Sequence, residues 1–535
     1  MKKFNLQDEP WILATNLNGQ EEILSLTDVL VHSHELRNLS GEMPAQDIAI
    51  MRLLLGVMYA IYTRTEEYKD AQENKRSGQC IEIWKKLWLR KHFPEQEIKE
   101  YLDKHHDRFW LRHPERPFYQ VNEIKKGSEF SVSKMIGELV EGGNKVQMFP
   151  LRSGKSKQYL DYPEVARWLL YLNSFDDASA KPSKKGLNSM SVGWLGQLGM
   201  VYLMGKNIFE TLMLNFSLLN HNEPWNSGEC KATWELKETR TSERTIINMP
   251  EGGEELFTLQ SRRIQLKWVD DSVFGFTLLG GDGFSSENAF AEPMTTWRAA
   301  KDKKDVYIPP SNVSRNSSKQ IWRDFASLLV ESEGVRKPGI LKWASMLEGK
   351  DIISSAQIQI CTLQIKYGNM QCGIDDVWGD SLSVNSSLLL PLGDVWVGRI
   401  ERLIQLTEKF VRELGNLSSI IAIASGASDG KDIRNTTQEQ AYATLDMPFR
   451  SWIASIDPET DSITEKCDSW VTDVRKIILK LGEDLVNQAG SQAFVGKNVI
   501  INKKEYHYNT PRSHGWFKGK IFKIEKDYYG GGDKK

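Results

Sequence analysis

Histidine and aspartate crowd into one stretch of this chain, KHHDRFWLRHPERP, where His105, His106 and Asp107 are followed by His113 and preceded at a distance by His92. Imidazole and carboxylate in that mixture bind divalent cations, the chemistry of a metal-dependent histidine–aspartate (HD-type) nuclease or phosphohydrolase. Such a site needs ligands from separate helices, and the Arg and Lys residues packed around these would repel the cation. Near the C-terminus His507, Asn509 and His514 match the residue types of an HNH nuclease but lack its ββα spacing. No GxxxxGK[ST], GxSxG or HExxH pattern occurs. Non-catalytic chemistry has better carriers. KYGNMQCG, Lys366 to Gly373, sets two side-chain amides between apolar runs, and on its own such a stretch reads as a turn with its amides in solvent. Between Gly142 and Leu160 stand Lys145, Arg152, Lys155 and Lys157 with no acidic residue, and between Ala178 and Gly193 stand Lys181, Lys184 and Lys185, again with none. Such stretches read either as solvated loops or as contacts to phosphate.

The elements that must position these residues follow from pattern. A chain of 535 residues exceeds one ordinary core, so two or more domains are expected. Asn18-Gly19 between two apolar runs signals a hairpin. Ile48, Met51, Leu55, Met58 and Ile61 recur at helical intervals and predict a buried helix over 45–62. Helices are also expected over 80–92, 94–106, 322–332 and 338–347, and from Tyr162 onward. Strands are expected over 256–276, and IQICTLQIKYGNMQ reads as a strand running into a tight loop. After Leu390 the character changes. Long amphipathic helices are expected over 394–423, 437–456 (bent at Pro448) and 462–489, with a shorter one over 511–522. Four helices with short connections bury their stripes against each other most economically as a bundle. The expected fold is therefore α+β: a large mixed domain over 1–390, then a four-helix bundle over 391–535.

Composition narrows the class. The net charge is −2, but phosphate attraction depends on local density within a Debye length, and from Lys497 to Lys535 ten basic residues face four acidic ones. The five cysteines lie far apart with no CxxC pair, which fits a reducing compartment and no disulfide framework. No apolar run reaches a membrane span and MKKFNLQDEPW lacks a secretory h-region, so a cytoplasmic chain without membrane partners is expected.

Several blocks carry a resemblance: FNLQDEPWI at Phe4 to Ile12, RPFYQ at Arg116 to Gln120, QSRRIQL at Gln260 to Leu266, EPMTTWR at Glu292 to Arg298, and KYGNMQCG. In this order over a chain of this length they resemble the large subunit of the type I-E CRISPR surveillance complex, the CasA family of Cascade. The resemblance covers nearly the whole chain and rests on order and spacing, since no block is a catalytic signature. It implies a non-catalytic protein that recognises a flanking motif (PAM) in double-stranded target DNA and starts strand separation for guide-RNA pairing. It implies as partners the guide RNA (crRNA), the target DNA, the Cascade backbone and small subunits, and a trans-acting helicase–nuclease that does the cutting.

Residue by residue, the resemblance makes Gln371 a wedge inserted below the motif, flanked by Asn369, Met370 and Cys372, with Met370 and Cys372 closest to the motif. A residue that hydrogen-bonds a base edge in some relatives is Met370 here, and a thioether is a poor hydrogen-bonding partner. The family's glycine-rich loop falls at SKKGLNSM, where Gly186 stands alone in place of several glycines, with Lys184 and Lys185 placed for phosphates. The family loop that touches guide RNA and motif falls after Gly142. It puts Phe149 at an aromatic position, which reads equally as a core aromatic, and Lys155 and Lys157 at phosphates. Arg262, Arg263 and Arg298 are assigned to scaffolding, and Lys518 and Lys520 to contacts of the bundle. Some relatives carry a cysteine cluster where this chain has GGDGF, so no metal or cofactor is carried over. Two other readings stand beside this one: the HD-type enzyme, and a helical adaptor that touches no nucleic acid.

Overall fold

The computed structural model describes residues 2–139, 149–179, 191–226, 230–310, 320–353, 357–501 and 504–530. It divides into two compact units. One comprises Met1–Ser317, Glu331–Ile352 and Ile358–Ser381; the other comprises Ser318–Val330, Ile353–Gln357 and Leu382–Lys535.

The first unit is built around helix α1, Pro44–Tyr62, which starts with Pro at its first turn and Asp47 on the favourable side of the helix dipole. The predicted stripe is there, but nearly every other position is buried too, so α1 is a central rather than a half-buried helix. It is long and apolar enough to match a membrane span, yet 89% of its most apolar window is buried inside the protein. Helix α2, Tyr162–Phe175, packs on it, capped by Asp161, whose carboxylate accepts from the Glu164 N–H at 3.0 Å.

Strand β1, Ser128–Ser131, lies at the edge of an antiparallel sheet with β3, Arg262–Val269, and β4, Ser272–Gly280, in the order β3-β4-β1. A second sheet sets strand β2, Met200–Met204, beside β5, Gln357–Tyr367, and β5 beside β6, Ile374–Asn385. The β2–β5 pairing runs antiparallel from Gln359↔Met204 to Leu363↔Met200, so β5 continues past its partner before the chain turns into β6. Two expectations shift here. Leu256 and Phe257 belong to a short helix, Gly253–Phe257, because both are buried on one face against α1; the strand begins only at Arg262. The apolar stretch after Val192 resolves into β2 and a helix, Ile208–Asn215, capped by Asn207.

In the second unit helices α3, Pro391–Ala424, α4, Lys431–Ala454, α5, Ile463–Asn487, and α6, Thr510–Gly530, form the expected four-helix set, with α3 in contact with each of the others. Phe449 on α4 centres an aromatic cluster, its ring 4.3 Å from that of Trp322 and 5.0 Å from that of Trp470. Trp470 donates its indole N–H to Thr407 on α3 at 3.1 Å. Pro448 lies within α4 without ending it. A hairpin of Lys497–Ile501 and Lys504–Tyr508 is inserted before α6.

One buried ion pair ties distant parts of the first unit together. Arg52, midway along α1, meets the Glu292 carboxylate through both terminal nitrogens, at 2.7 and 2.9 Å, and both side chains are almost wholly removed from water. Trp194 donates to the same carboxylate at 2.9 Å, and the guanidinium lies 3.9 Å from the Phe257 ring centroid. The EPMTTWR block thus contributes a core charge. Removing one partner of such a pair strands the other in the interior, which costs about 3–5 kcal/mol. Glu292→Ala should therefore destabilise the first unit by about that amount in denaturant unfolding, whereas Glu287→Ala, at an exposed pair with Lys303, should shift it by less than about 1 kcal/mol.

Candidate nucleic-acid interface

The turn between β5 and β6 is a tight loop closed by the Gly368 N–H donating to the Gly373 carbonyl at 3.0 Å. Inside it two overlapping turns close the tip, with the Gln371 N–H on the Gly368 carbonyl at 2.9 Å and the Cys372 N–H on the Asn369 carbonyl at 3.1 Å. Met370 (φ 53°) and Gln371 (φ 59°) both lie in the left-handed region, as does Gly373 (φ 72°). Glycine carries that conformation freely; each of the two side-chain-bearing residues gives up about 1–2 kcal/mol. Strain of this kind persists only where surrounding contacts impose it.

Those contacts come from the segment that follows α2. The Ala178 N–H donates to the Gln371 carbonyl at 2.9 Å, and the Gly373 N–H donates to the Asp177 carboxylate at 2.6 Å. The tip backbone is therefore fixed on both sides of Cys372. Met370 is 77% exposed and Asn369 and Cys372 are exposed, while Gln371 is half-buried. An amide, a thioether and a thiol are thus held toward solvent on a backbone that cannot readily give way.

The basic stretch after Gly142 is partly spent on the fold. Arg152 is held by Glu138 at 2.8 Å and Glu164 at 2.7 Å, with only 13% of its side chain exposed. Phe149 is 87% exposed and Leu151 77%, so neither is a core residue of this unit. Lys155 is exposed and Lys157 half-exposed, on the short helix Lys155–Gln158 that follows Gly154. The stretch ends where Leu160 bridges to Val273 on β4. Lys184, Lys185 and Gly186, with Lys145 and Lys181, lie outside the described residues. In the second unit Lys520 is exposed, and Lys518 is exposed with its ammonium 3.8 Å from Glu483.

The HHD stretch does not assemble a metal site. The three side chains point to three different neighbourhoods. His105 lies 3.7 Å from Glu235, and burial holds its imidazole below the usual pKa. His106 meets Asp8 at 2.7 Å. Asp107 is bound by Lys2 and, at 2.8 Å, by Arg116, and the hydrogen bond from Lys2 holds its carboxyl below the usual range. His92 packs against the ring of His34. Among the described residues no three His, Cys, Asp or Glu side chains converge as metal ligands. The HNH-like residues have structural work: Asn509 accepts from the Arg512 N–H at 3.0 Å and so caps α6, and His507 bonds Asn498 at 2.7 Å.

Arg262 and Arg263 are fully engaged within the protein, Arg263 with the Asp282 carboxylate and the carbonyls of Thr241 and Gln260. Asp177, whose carboxylate seats the tip, was not singled out from sequence. A signal for it existed: Asp176-Asp177 is an acidic pair immediately after an apolar helix and immediately before an acid-free basic run. The left-handed conformation at position 370 has a direct consequence. Met370→Gly should leave the stability of the first unit unchanged or raise it by up to about 1 kcal/mol, while β-branched Met370→Val should lower it by about 1–2 kcal/mol, both read from thermal melts.

Comparison with known proteins places these features in context. The family described as CRISPR-associated protein Cse1 matches residues 5–481. The CRISPR-associated protein CasA/Cse1 of Thermus thermophilus is 24% identical over 428 residues, 79% of each chain. The crystal structure of Thermobifida fusca Cse1 superposes with a TM-score of 0.82 at 27% identity, covering 98% of each chain. A chain of a structure titled CRISPR RNA-guided surveillance complex shares the fold with a TM-score of 0.68 at 17% identity, over 99% of this chain and 100% of that one.

Proposed function

The chain belongs to the CRISPR-associated Cse1 (CasA) family, the large subunit of type I-E Cascade, and from that membership we propose that it checks the PAM of double-stranded target DNA and starts its unwinding. The observation that carries this reading is the tip at Asn369–Cys372, an exposed, strained and firmly seated loop that presents a side-chain amide. Gln371 enters the duplex just below the motif and takes the place of a displaced base. Opening the first step costs a few kcal/mol, which the inserted amide offsets in part by restoring stacking and hydrogen bonds. Met370 and Cys372 lie against the motif in the minor groove, where base pairs are poorly distinguished and shape with a few contacts suffices for permissive recognition.

Lys155 and Lys157, with Lys184 and Lys185 beside Gly186, hold the phosphates, and Phe149 supplies an exposed aromatic face for a nucleotide of the guide RNA or the motif. Pairing with the guide then carries the remaining sequence information. The backbone and small subunits of Cascade are the protein partners, the latter on the helical unit. The opened DNA passes to a trans-acting helicase–nuclease, so this chain works without a catalytic centre of its own. The separate neighbourhoods of His105, His106 and Asp107 support that view over the HD-type reading.

The test is strand opening by the assembled complex, followed with a fluorescent base on matched duplex and on a pre-opened bubble. Gln371→Ala should slow opening of the duplex roughly tenfold, equivalent to about 1.4 kcal/mol, and leave binding to the bubble as in wild type. Equal behaviour on both substrates would make Gln371 a turn residue. Replacing Lys155, Lys157, Lys184 and Lys185 together by Gln should flatten the dependence of log K on log [salt] by about 3–4 units; an unchanged slope would favour the adaptor.

A further inference from the structure

Beneath the tip lies a buried charge cluster that the DNA-reading function does not itself require. Asp176 and Asp177 sit side by side at the end of α2, and neither side chain reaches water. Lys134, from the turn after β1, places its ammonium 2.7 Å from Asp177 and 3.6 Å from Asp176. Arg262, from β3, binds the Asp176 carboxylate and donates to the carbonyls of Asp176 at 3.0 Å, Asp177 at 3.2 Å and Ser191 at 3.1 Å. The Tyr367 hydroxyl, at the end of β5, donates to the Phe175 carbonyl at 2.7 Å.

We infer that Asp177 is a positioning residue for Gln371, acting through the backbone of the tip and without touching DNA. This inference rests on the reading of Gln371 as the wedge. Its carboxylate accepts the Gly373 N–H while the next residue, Ala178, donates to the Gln371 carbonyl. Two hydrogen bonds from adjacent residues therefore fix the orientation of the peptide planes on either side of Cys372. The left-handed Met370–Gln371 pair is held in that frame and would relax toward ordinary turn conformations without it. Burial and the adjacent Asp176 carboxylate both push the Asp177 pKa up, and the Lys134 ammonium, with the Ser179 N–H, brings it below the usual range, keeping the carboxyl ionised as an acceptor. Arg262 fixes the segment itself from below, gripping carbonyls that lie on both sides of residues 180–190.

The role assigned to Asp177 is that of an acceptor, and two neutral pair variants separate it from its charge. Lys134→Met with Asp177→Asn removes both charges and keeps one oxygen, for the Gly373 N–H, while giving up the second carboxylate oxygen, which accepts the Ser179 N–H at 3.0 Å. Lys134→Met with Asp177→Leu removes the charges and the acceptor together. Each is assembled into the complete complex, checked for a wild-type melting transition, and compared with Gln371→Ala on duplex and bubble. A spin label on Cys372, the exposed cysteine of the five, reports tip mobility independently of DNA. The Asn pair should open duplex within twofold of wild type with an immobilised label. The Leu pair should open it as slowly as Gln371→Ala, bind the bubble normally, give a mobile label, and become no slower when Gln371→Ala is added. Wild-type opening by a folded Leu pair, with Gln371→Ala slow, overturns the inference. Should Gln371→Ala open duplex normally, the wedge reading fails instead, and the label still decides whether Asp177 orders the tip.

Discussion

Arg262 begins β3 with its guanidinium entirely out of water, and a buried cation with unmet donors would cost several kcal/mol. The arrangement around the hairpin tip follows from meeting those donors. One carboxylate, Asp176, and carbonyls from Ser261, Asp176, Asp177 and Ser191 close around the planar fork, a geometry that lysine could not satisfy. Two carboxylates directly after the C-terminus of α2 oppose the helix dipole, which alone would disfavour them there. Arg262 and Lys134 reverse that balance. The end of α2 is thereby locked to β3 and to the turn after β1, and the hairpin tip is seated on a surface that is already rigid.

The same accounting sorts the other cations. Arg52, Arg152 and Arg263 all sit in sequence beside apolar or basic residues, and each is consumed by carboxylates from elsewhere in the chain. What remains facing solvent includes lysines, Lys155 among them. A near-neutral chain can then still present local positive charge, because the arginines drawn inward are neutralised within the fold and the lysines, more strongly hydrated, are left outside. On the proposed function, specificity and attraction fall to different parts: the fixed tip on one side, exposed lysines on the other.

How much of this was legible in the sequence depends on the range of the interaction. The stripe from Ile48 to Ile61 and the long helices after Leu390 were readable because helical periodicity is local, and the strand into KYGNMQCG was readable because turn residues are. The acid-free character of the Gly142–Leu160 stretch misled about Arg152, whose partners Glu138 and Glu164 lie just beyond either end of that window. Phe149 could be read as buried or exposed, since an aromatic between Met and Pro has no periodicity to decide it. The acidic pair Asp176-Asp177 was visible, but its partner was not: Asp177 and Gly373 are separated by 196 positions, and a carboxylate that accepts a backbone N–H leaves no pairing pattern in side-chain types. The HHD stretch failed in the opposite direction, because adjacency in sequence on a turn sends side chains apart.

A pinned backbone with outward-facing side chains separates two tasks that a flexible loop would confound. The hydrogen bonds to Asp177 and from Ala178 engage main-chain atoms of Gly373 and Gln371, so the seating of the tip uses none of the side chains at 369, 370 and 372. On the wedge reading, opening depends on the position of Gln371, and motif preference on its exposed neighbours. A thioether at 370 offers dispersion and no strong hydrogen bond, so it discriminates by shape, and exchanging it for a donor would change which motif is preferred without rebuilding the loop. The strain at Met370 and Gln371 is then the cost of displaying the amide at a fixed height above the surface. On the same reading it is sustained by the buried cluster of Asp176, Asp177, Lys134 and Arg262, four ionic groups at a place where apolar packing would be the simpler way to join a helix to a hairpin.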